Sequence, residues 1–170
     1  AQFSSTYEYY VGRHSTANSP TTYTVYDKKG RNLRVIEENK GLKAKQMEYG
    51  TQKVEFFTFE TSEGVELNGW MIKPRGFNAD RKYPVFMYLY GGPGSQTVTD
   101  AWKGSNYWWF QMLAQQGYVV ASVDNRGTGA RGEEFKKMTY QQLGHYETID
   151  QIEAAKYLGS LPYTDENRIG

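Results

Sequence analysis

The sequence predicts an α/β fold, with a parallel βαβ unit at its centre and antiparallel strands before it. Three observations carry this prediction. Residues 83–90 are a short run of β-branched and aromatic residues that stops at Gly91-Gly92-Pro93-Gly94. Too short for a helix and bounded by turn residues, the run reads as a buried strand. A second run, 118–123, ends in Asp124-Asn125-Arg126-Gly127-Thr128-Gly129, and a helical stretch separates the two. In such units ligand chemistry sits at the carboxyl ends of the strands, and both glycine-rich turns fall there.

Taken in order, residues 1–37 alternate like strands. Tyr7, Tyr9 and Val11 form one period-2 row, Tyr23 and Val25 a second, Leu33 and Val35 a third, and Asp27-Lys28-Lys29-Gly30 is a hairpin turn. Three such strands bury little alone, so they read as part of something larger, such as one propeller blade. Residues 39–49 read as a linker with one helical turn. Residues 54–60 and 65–72 alternate strongly around Thr61-Ser62-Glu63-Gly64, a hairpin. Residues 96–103 are loop. Ser105 or Asn106 caps a helix with Trp109, Met112 and Leu113 as its apolar face and Gly117 as its stop. Of Tyr107-Trp108-Trp109-Phe110, Trp109 reads as core and the others as lining a domain contact, in preference to a ligand platform. Residues 133–142 read as a helix outside the sheet. Residues 147–158 read as another, with Ile149, Ile152 and Ala155 on one face. Arg168-Ile169-Gly170 opens a further strand.

Composition narrows the function. The formal charge of +1 gives no electrostatic reason to expect nucleic-acid or membrane-surface binding. The absence of cysteine excludes disulfides, thiolate catalysis and Cys-ligated metals within these residues. No run of about 18 apolar residues is present, and Ala1-Gln2-Phe3-Ser4 does not read as a signal peptide. Mean hydropathy is low at −0.76, which tyrosine-rich strands with wet hydroxyls account for.

The motifs do not assemble a catalytic set. Gly127-Thr128-Gly129-Ala130-Arg131-Gly132 matches G-x-G-x-x-G after a strand, but Asp124-Asn125-Arg126 intervenes. Asp150, at the distance of a ribose-binding acid, lies inside a helix. The better reading is a tight turn pinned by Asp124 and Arg126 through charge-assisted hydrogen bonds. No serine has glycine at both minus two and plus two, as a nucleophile elbow requires. Ser95 and Ser105 come nearest. The two histidines, His14 and His145, read as surface or helix-end residues, and no cluster suggests a metal site. At this level Tyr90 is equally an ordinary core tyrosine or a functional one.

Read together, several segments resemble a known family. They are Tyr83-Pro84, Leu89-Tyr90-Gly91-Gly92-Pro93-Gly94-Ser95-Gln96, Asp124-Asn125-Arg126-Gly127-Thr128-Gly129, Leu143-Gly144 and Asp150-Gln151-Ile152-Glu153-Ala154-Ala155. In that order they resemble the prolyl oligopeptidase family of serine peptidases, the dipeptidyl peptidase IV branch above all. Leu33-Arg34-Val35-Ile36-Glu37-Glu38-Asn39 is similar to the end of that branch's propeller. The resemblance covers nearly the whole chain.

The resemblance implies that residues 1–40 are the last-blade strands of a β-propeller and residues 41–170 the N-terminal portion of an α/β-hydrolase peptidase domain. In that family the serine elbow, Gly-Trp-Ser-Tyr-Gly-Gly, comes directly after Arg-Ile-Gly. The catalytic Ser, Asp and His, and the propeller glutamates that hold a free amino group, are then expected outside this chain. The implied parent is an exopeptidase that releases N-terminal dipeptides with Pro or Ala second, through an acyl-enzyme, and the fragment alone is expected to be inactive. Prolyl oligopeptidase, acylaminoacyl peptidase and a non-catalytic binding or assembly module are the alternatives.

Tyr90 matches the family tyrosine whose hydroxyl helps form the oxyanion hole. Gly91 and Gly92 would shape its turn, and Asp124 and Arg126 the neighbouring wall. The implied partner is a peptide substrate, with no metal or organic cofactor, no nucleic acid and no membrane segment. A homodimeric parent in the periplasm or cell envelope is expected. The family's sheet seats its third strand between its fourth and fifth. With the fifth taken as missing, residues 83–90 are expected to offer an uncovered apolar edge through which the fragment associates.

Overall fold

The computed structural model describes residues 1–170. The chain divides into two compact units, one of Ala1–Thr51 with Asp100–Tyr107, the other of Gln52–Thr99 with Trp108–Gly170.

In the first unit, β1 (Gln2–Phe3), β2 (Tyr9–Thr16), β3 (Ser19–Asp27) and β4 (Asn32–Glu37) form an antiparallel sheet in chain order. The strand expected from Tyr7 begins at Tyr9, because Tyr7 sits in a turn at φ 57. The turn after β3 forms as expected. The Asp27 carboxylate accepts from the N–H groups of Lys29 and Arg31, each at 2.9 Å, and from Arg31 Nε at 2.6 Å. The Arg31 N–H, with help from its guanidinium and from Lys29, holds the Asp27 carboxyl below its usual range. Stacked Tyr10 and Tyr26, 5.2 Å apart, show how tyrosines serve this sheet.

Residues 39–49 are more than a linker. α1 (Lys40–Tyr49) is a ten-residue helix. None of its residues is buried, so it has no apolar stripe to betray it. Its Lys, Ala, Gln, Met and Glu are good helix formers, and Gly50 at φ 60 closes it with its N–H on Met47 O. Gln46 donates to the hydroxyl of Tyr107 at 2.8 Å, which in turn donates to Thr51 at 3.0 Å. Asp100 accepts from Ala17 N at 2.7 Å, so the segment 100–107 is tied to both helix and sheet of this unit.

The second unit is a five-stranded sheet. β5 (Val54–Glu60) and β6 (Glu66–Ile72) form the expected hairpin, paired in register from Val54↔Ile72 to Glu60↔Glu66. β7 (Tyr83–Met87), β8 (Val119–Asp124) and β9 (Thr164–Ile169) complete it in the order β5-β6-β8-β7-β9, the last three parallel. Thus β7 lies between β8 and β9, the neighbours expected of a third strand. α2 (Ser105–Gln115) links β7 to β8, and α3 (Glu133–Lys137) and α4 (His145–Ser160) follow. None of these helices is long and apolar enough to cross a membrane.

The strand pleat sorts side chains to two faces. Val85, Met87, Val119, Ala121 and Val123 share their face with α4, whose Ala154 and Leu158 are fully buried. Phe86 and Tyr88 point the other way, onto Trp109 and Phe110 of α2 at 5.2 and 5.1 Å between ring centres. β8 is buried at all six positions, as a central parallel strand must be.

Five further sequence expectations are corrected. α2 buries Phe110, Gln111 and Ala114, whereas Trp109 is 39% and Met112 45% exposed, so Trp109 is not core. A glutamine occupies the buried stripe because its amide is fully used: Gln111 accepts from Gln52 N and donates to Gln52 O, both at 2.7 Å. α4 likewise buries Asp150, Ala154 and Leu158 rather than Ile149, Ile152 and Ala155. α3 stops at Lys137, short of 142, with turns following. Finally, the edge of β7 is not uncovered. β9 pairs along it, with Met87 N donating to Gly170 O at 2.7 Å. The strand is longer than Arg168-Ile169-Gly170 suggests because its polar residues Asp165, Glu166 and Asn167 sit on the exposed sheet margin.

Candidate active site at the carboxyl ends of β7 and β8

Past the end of β7, Tyr88 N still donates to Ala121 O at 2.8 Å, so strand pairing reaches the start of the turn. Gly91 then adopts φ +66, the left-handed region that glycine enters without strain. A Cβ there would also stand 2.5 Å from Asn125 Oδ1. Gly92 lies close under the tyrosine: a Cβ built there would stand 2.9 Å from Tyr90 Cε1, a contact the exposed ring can relieve by shifting. The tyrosine ring therefore lies over the turn. Tyr90 is 72% exposed. Together with Met87, Leu89, Asn125, Gln151 and Ile152 it lines a mainly apolar groove of about 520 Å³. A phenol so placed can donate a hydrogen bond to a group lying in the groove.

The turn after β8 is bound to the turn after β7. Gly94 N donates to Gly127 O at 2.9 Å, and Gly129 N to Ser95 O at 2.7 Å. The Asp124 carboxylate takes Thr97 N at 2.8 Å, Thr97 Oγ1 at 2.5 Å and Val98 N at 2.9 Å. In the second turn the N–H groups of Gly127, Thr128 and Gly129 go to the carbonyls of Phe135, Asn125 and Ser95. Those three N–H groups are therefore not free to cradle a pyrophosphate, which favours reading the glycine-rich match as a structural turn.

Arg126 is 3% exposed and Asp150 fully buried. Asp150 accepts from Arg126 N at 2.7 Å, from Nε at 3.0 Å and from Nη2 at 2.6 Å. Arg126 Nη1 reaches Glu63 in the β5–β6 turn at 2.7 Å, and its guanidinium lies 4.5 Å from the Tyr146 ring centre. The Asp150 hydrogen bonds, seconded by Glu63, push the Arg126 pKa up against the cost of burial. All three guanidinium nitrogens are engaged and the side chain is buried, so Arg126 braces the β8 turn against α4 and does not line the groove. Asp124 is likewise buried.

Two residues the sequence did not single out complete the arrangement. Asn125, fully buried, donates from Nδ2 to Gly91 O at 3.1 Å and Arg126 O at 2.7 Å. Gln151 of α4 donates from Nε2 to Asn125 Oδ1 and to Val123 O, both at 3.0 Å. No spacing rule marks these amides, since their partners are carbonyls brought near by the fold.

The nucleophile candidates fare as expected. The Ser95 hydroxyl donates to Gly92 O at 2.5 Å, and Ser105 is an exposed first residue of α2. His14 is exposed on β2, and His145 is exposed at the start of α4, edge-on to Tyr146.

The chain is similar to several known proteins. Residues 104–170 match the model of the prolyl oligopeptidase family. The chain is 41% identical over 139 residues to the "Probable dipeptidyl-aminopeptidase B" of Trichophyton verrucosum, a match covering 81% of this chain and 15% of that one. It is 38% identical over 138 residues to the "Probable dipeptidyl peptidase 4" of Emericella nidulans, covering 81% of this chain and 18% of that one. Among solved structures, dipeptidyl peptidase 4 of Porphyromonas gingivalis superposes with a TM-score of 0.94 at 47% identity, over 100% of this chain and 24% of that one. The chain therefore spans under a fifth of these curated relatives. It belongs to the prolyl oligopeptidase family, among relatives named as dipeptidyl peptidases.

Proposed function

We propose that these residues supply the oxyanion side and the sheet scaffold of a serine exopeptidase that releases N-terminal dipeptides, with Pro or Ala second, through an acyl-enzyme. The observation that carries this reading is Tyr90, exposed beside a groove at the carboxyl end of a parallel strand, on a turn closed by Gly91 and Gly92. A phenol held there can donate to the oxygen that turns negative in the tetrahedral intermediate, the stage at which such a bond counts. On this reading residues 41–170 are the beginning of an α/β-hydrolase domain, which the strand order of the five-stranded sheet supports. Residues 1–40, with their antiparallel sheet, are the end of a propeller. Gly91, Gly92, Asp124 and Arg126 support the turn and do no chemistry. The working protein is a homodimer, to be tested by sedimentation of the full-length enzyme.

The 170 residues alone are expected to be inactive: no serine here stands in an elbow, and Ser95 is engaged with Gly92. The test has two arms. In the full-length enzyme, Tyr90→Phe should lower kcat on a Gly-Pro chromogenic substrate by about 10²- to 10³-fold, the usual effect of deleting one oxyanion donor. The isolated chain should not react with a fluorophosphonate probe. An unchanged kcat in the first arm, or a labelled serine in the second, would overturn the proposal.

A further inference from the structure

We propose that Asn125 and Gln151 are positioning residues that set the Tyr90 hydroxyl by holding the Gly91 peptide, an inference that rests on the oxyanion reading of Tyr90. The exposed Tyr90 ring has little packing to fix it. Its place depends on the backbone that carries it, and that backbone turns at Gly91, in the left-handed region. Asn125 holds this point and crowds it. Its Nδ2 donates to the Gly91 carbonyl at 3.1 Å, and its Oδ1 lies 2.5 Å from where a Gly91 Cβ would stand.

The direction of the two amides is determined by their ends. Asn125 Nδ2 meets the carbonyls of Gly91 and Arg126, which can only accept. Its Oδ1 therefore faces Gln151, which must present Nε2, and the second Nε2 proton goes to the Val123 carbonyl. Reversing either amide would set oxygen against oxygen. The arrangement holds even though it strands Gln151 Oε1, buried and without a partner. A helix residue thus orients a strand-end residue, which orients the turn. Because Gln151 sits next to Asp150, the partner of Arg126, the same turn of α4 anchors both.

Coupling between substitutions in the full-length enzyme tests this. Asn125→Asp preserves shape and removes both donors. It should lower kcat on a Gly-Pro chromogenic substrate about 10- to 100-fold, the scale of an ångström-sized displacement of a catalytic group, with KM little changed. In a Tyr90→Phe background it should cause no further loss, because its effect runs through the phenol. Gln151→Glu, which turns donors into acceptors at the rim of the groove, should show the same coupling with a smaller loss, and stands in if Asn125→Asp does not fold. A full additional loss in the Tyr90→Phe background, or an unchanged kcat beside an impaired Tyr90→Phe, overturns the relay and leaves the oxyanion reading intact. A silent Tyr90→Phe overturns that reading, and the relay with it.

Discussion

Replacing Asp150 by alanine would leave the Arg126 guanidinium in a place that excludes water. The cation is 3% exposed and its partner 0%, and Asp150 accepts both from the side chain and from the backbone N–H of Arg126. Removing one member of a buried ion pair costs about 3–5 kcal/mol, because the survivor keeps its desolvation penalty and loses its compensation. Glu63 and the Tyr146 ring remain to Arg126, which places Asp150→Ala near the lower end, about 3 kcal/mol. Asp150→Asn keeps the shape and some hydrogen bonding, so the lost charge should cost about 1.5–3 kcal/mol. Glu63 is the control. Its side chain is 47% exposed, and Glu63→Gln should cost no more than about 1 kcal/mol. Urea unfolding of the chain, followed by tryptophan fluorescence, would rank the three. The reasoning fails if Glu63→Gln destabilises as much as Asp150→Asn. That result would mean that the exposed ion pair, not the buried one, holds the β8 turn.

Two other substitutions or titrations follow from the same geometry. Gly91→Ala forces a side chain into a left-handed backbone and against Asn125 Oδ1; it should destabilise the second unit by about 1–3 kcal/mol. In the full-length enzyme it should reduce kcat more than KM; wild-type kinetics from this variant would show that the turn relaxes freely. Glu153 is held at a pKa of about 2, below its ordinary 4.5, first by Lys156 and then by the Ser62 N–H. Its folded value is lowered, so its contribution is complete above about pH 4.5 and is lost as pH falls towards about 2. A carboxyl titration by NMR should find a midpoint near 2 that rises in Lys156→Met; an ordinary midpoint in the native protein would refute the assignment.

The βαβ centre was legible because its strands carry their signal in consecutive residues: a run of strand formers, then glycines that only a turn uses. The β5–β6 hairpin was legible for the same reason. Helix faces were not. Gln111 and Asp150 are polar residues at buried positions, made tolerable by Gln52 and Arg126, partners remote in sequence. Reading apolar identity alone rotates each helix away from them and promotes Trp109 and Ile152 to a core they do not enter. β9 was underestimated in the same way, since a margin strand has one side in solvent and can carry Asp165, Glu166 and Arg168. At the site, Tyr90 and its glycines could be named from local sequence. Asn125 and Gln151 could not, because their importance lies in which carbonyls the tertiary structure places beside them.

The end of β8 has a consequence for how this region tolerates change. Asp124 and Asn125 are adjacent, so the pleat sends them to opposite sides of the sheet. Asp124 catches the far limb of the glycine loop at Thr97 and Val98, and Asn125 catches the near limb at Gly91. The loop is held like a strap buckled at both ends by two neighbouring residues facing opposite ways, and the parity of the strand decides which buckle meets which end. Point substitutions undo one fastening at a time. A one-residue insertion within β8 would bring the Asp124 carboxylate to the Gly91 carbonyl and leave Val123 facing Thr97, whereas a deletion would bring the Asn125 amide to Thr97 and Arg126 to Gly91, and in either case both fastenings would fail together. Length in this strand is therefore under tighter constraint than the identity of most of its side chains.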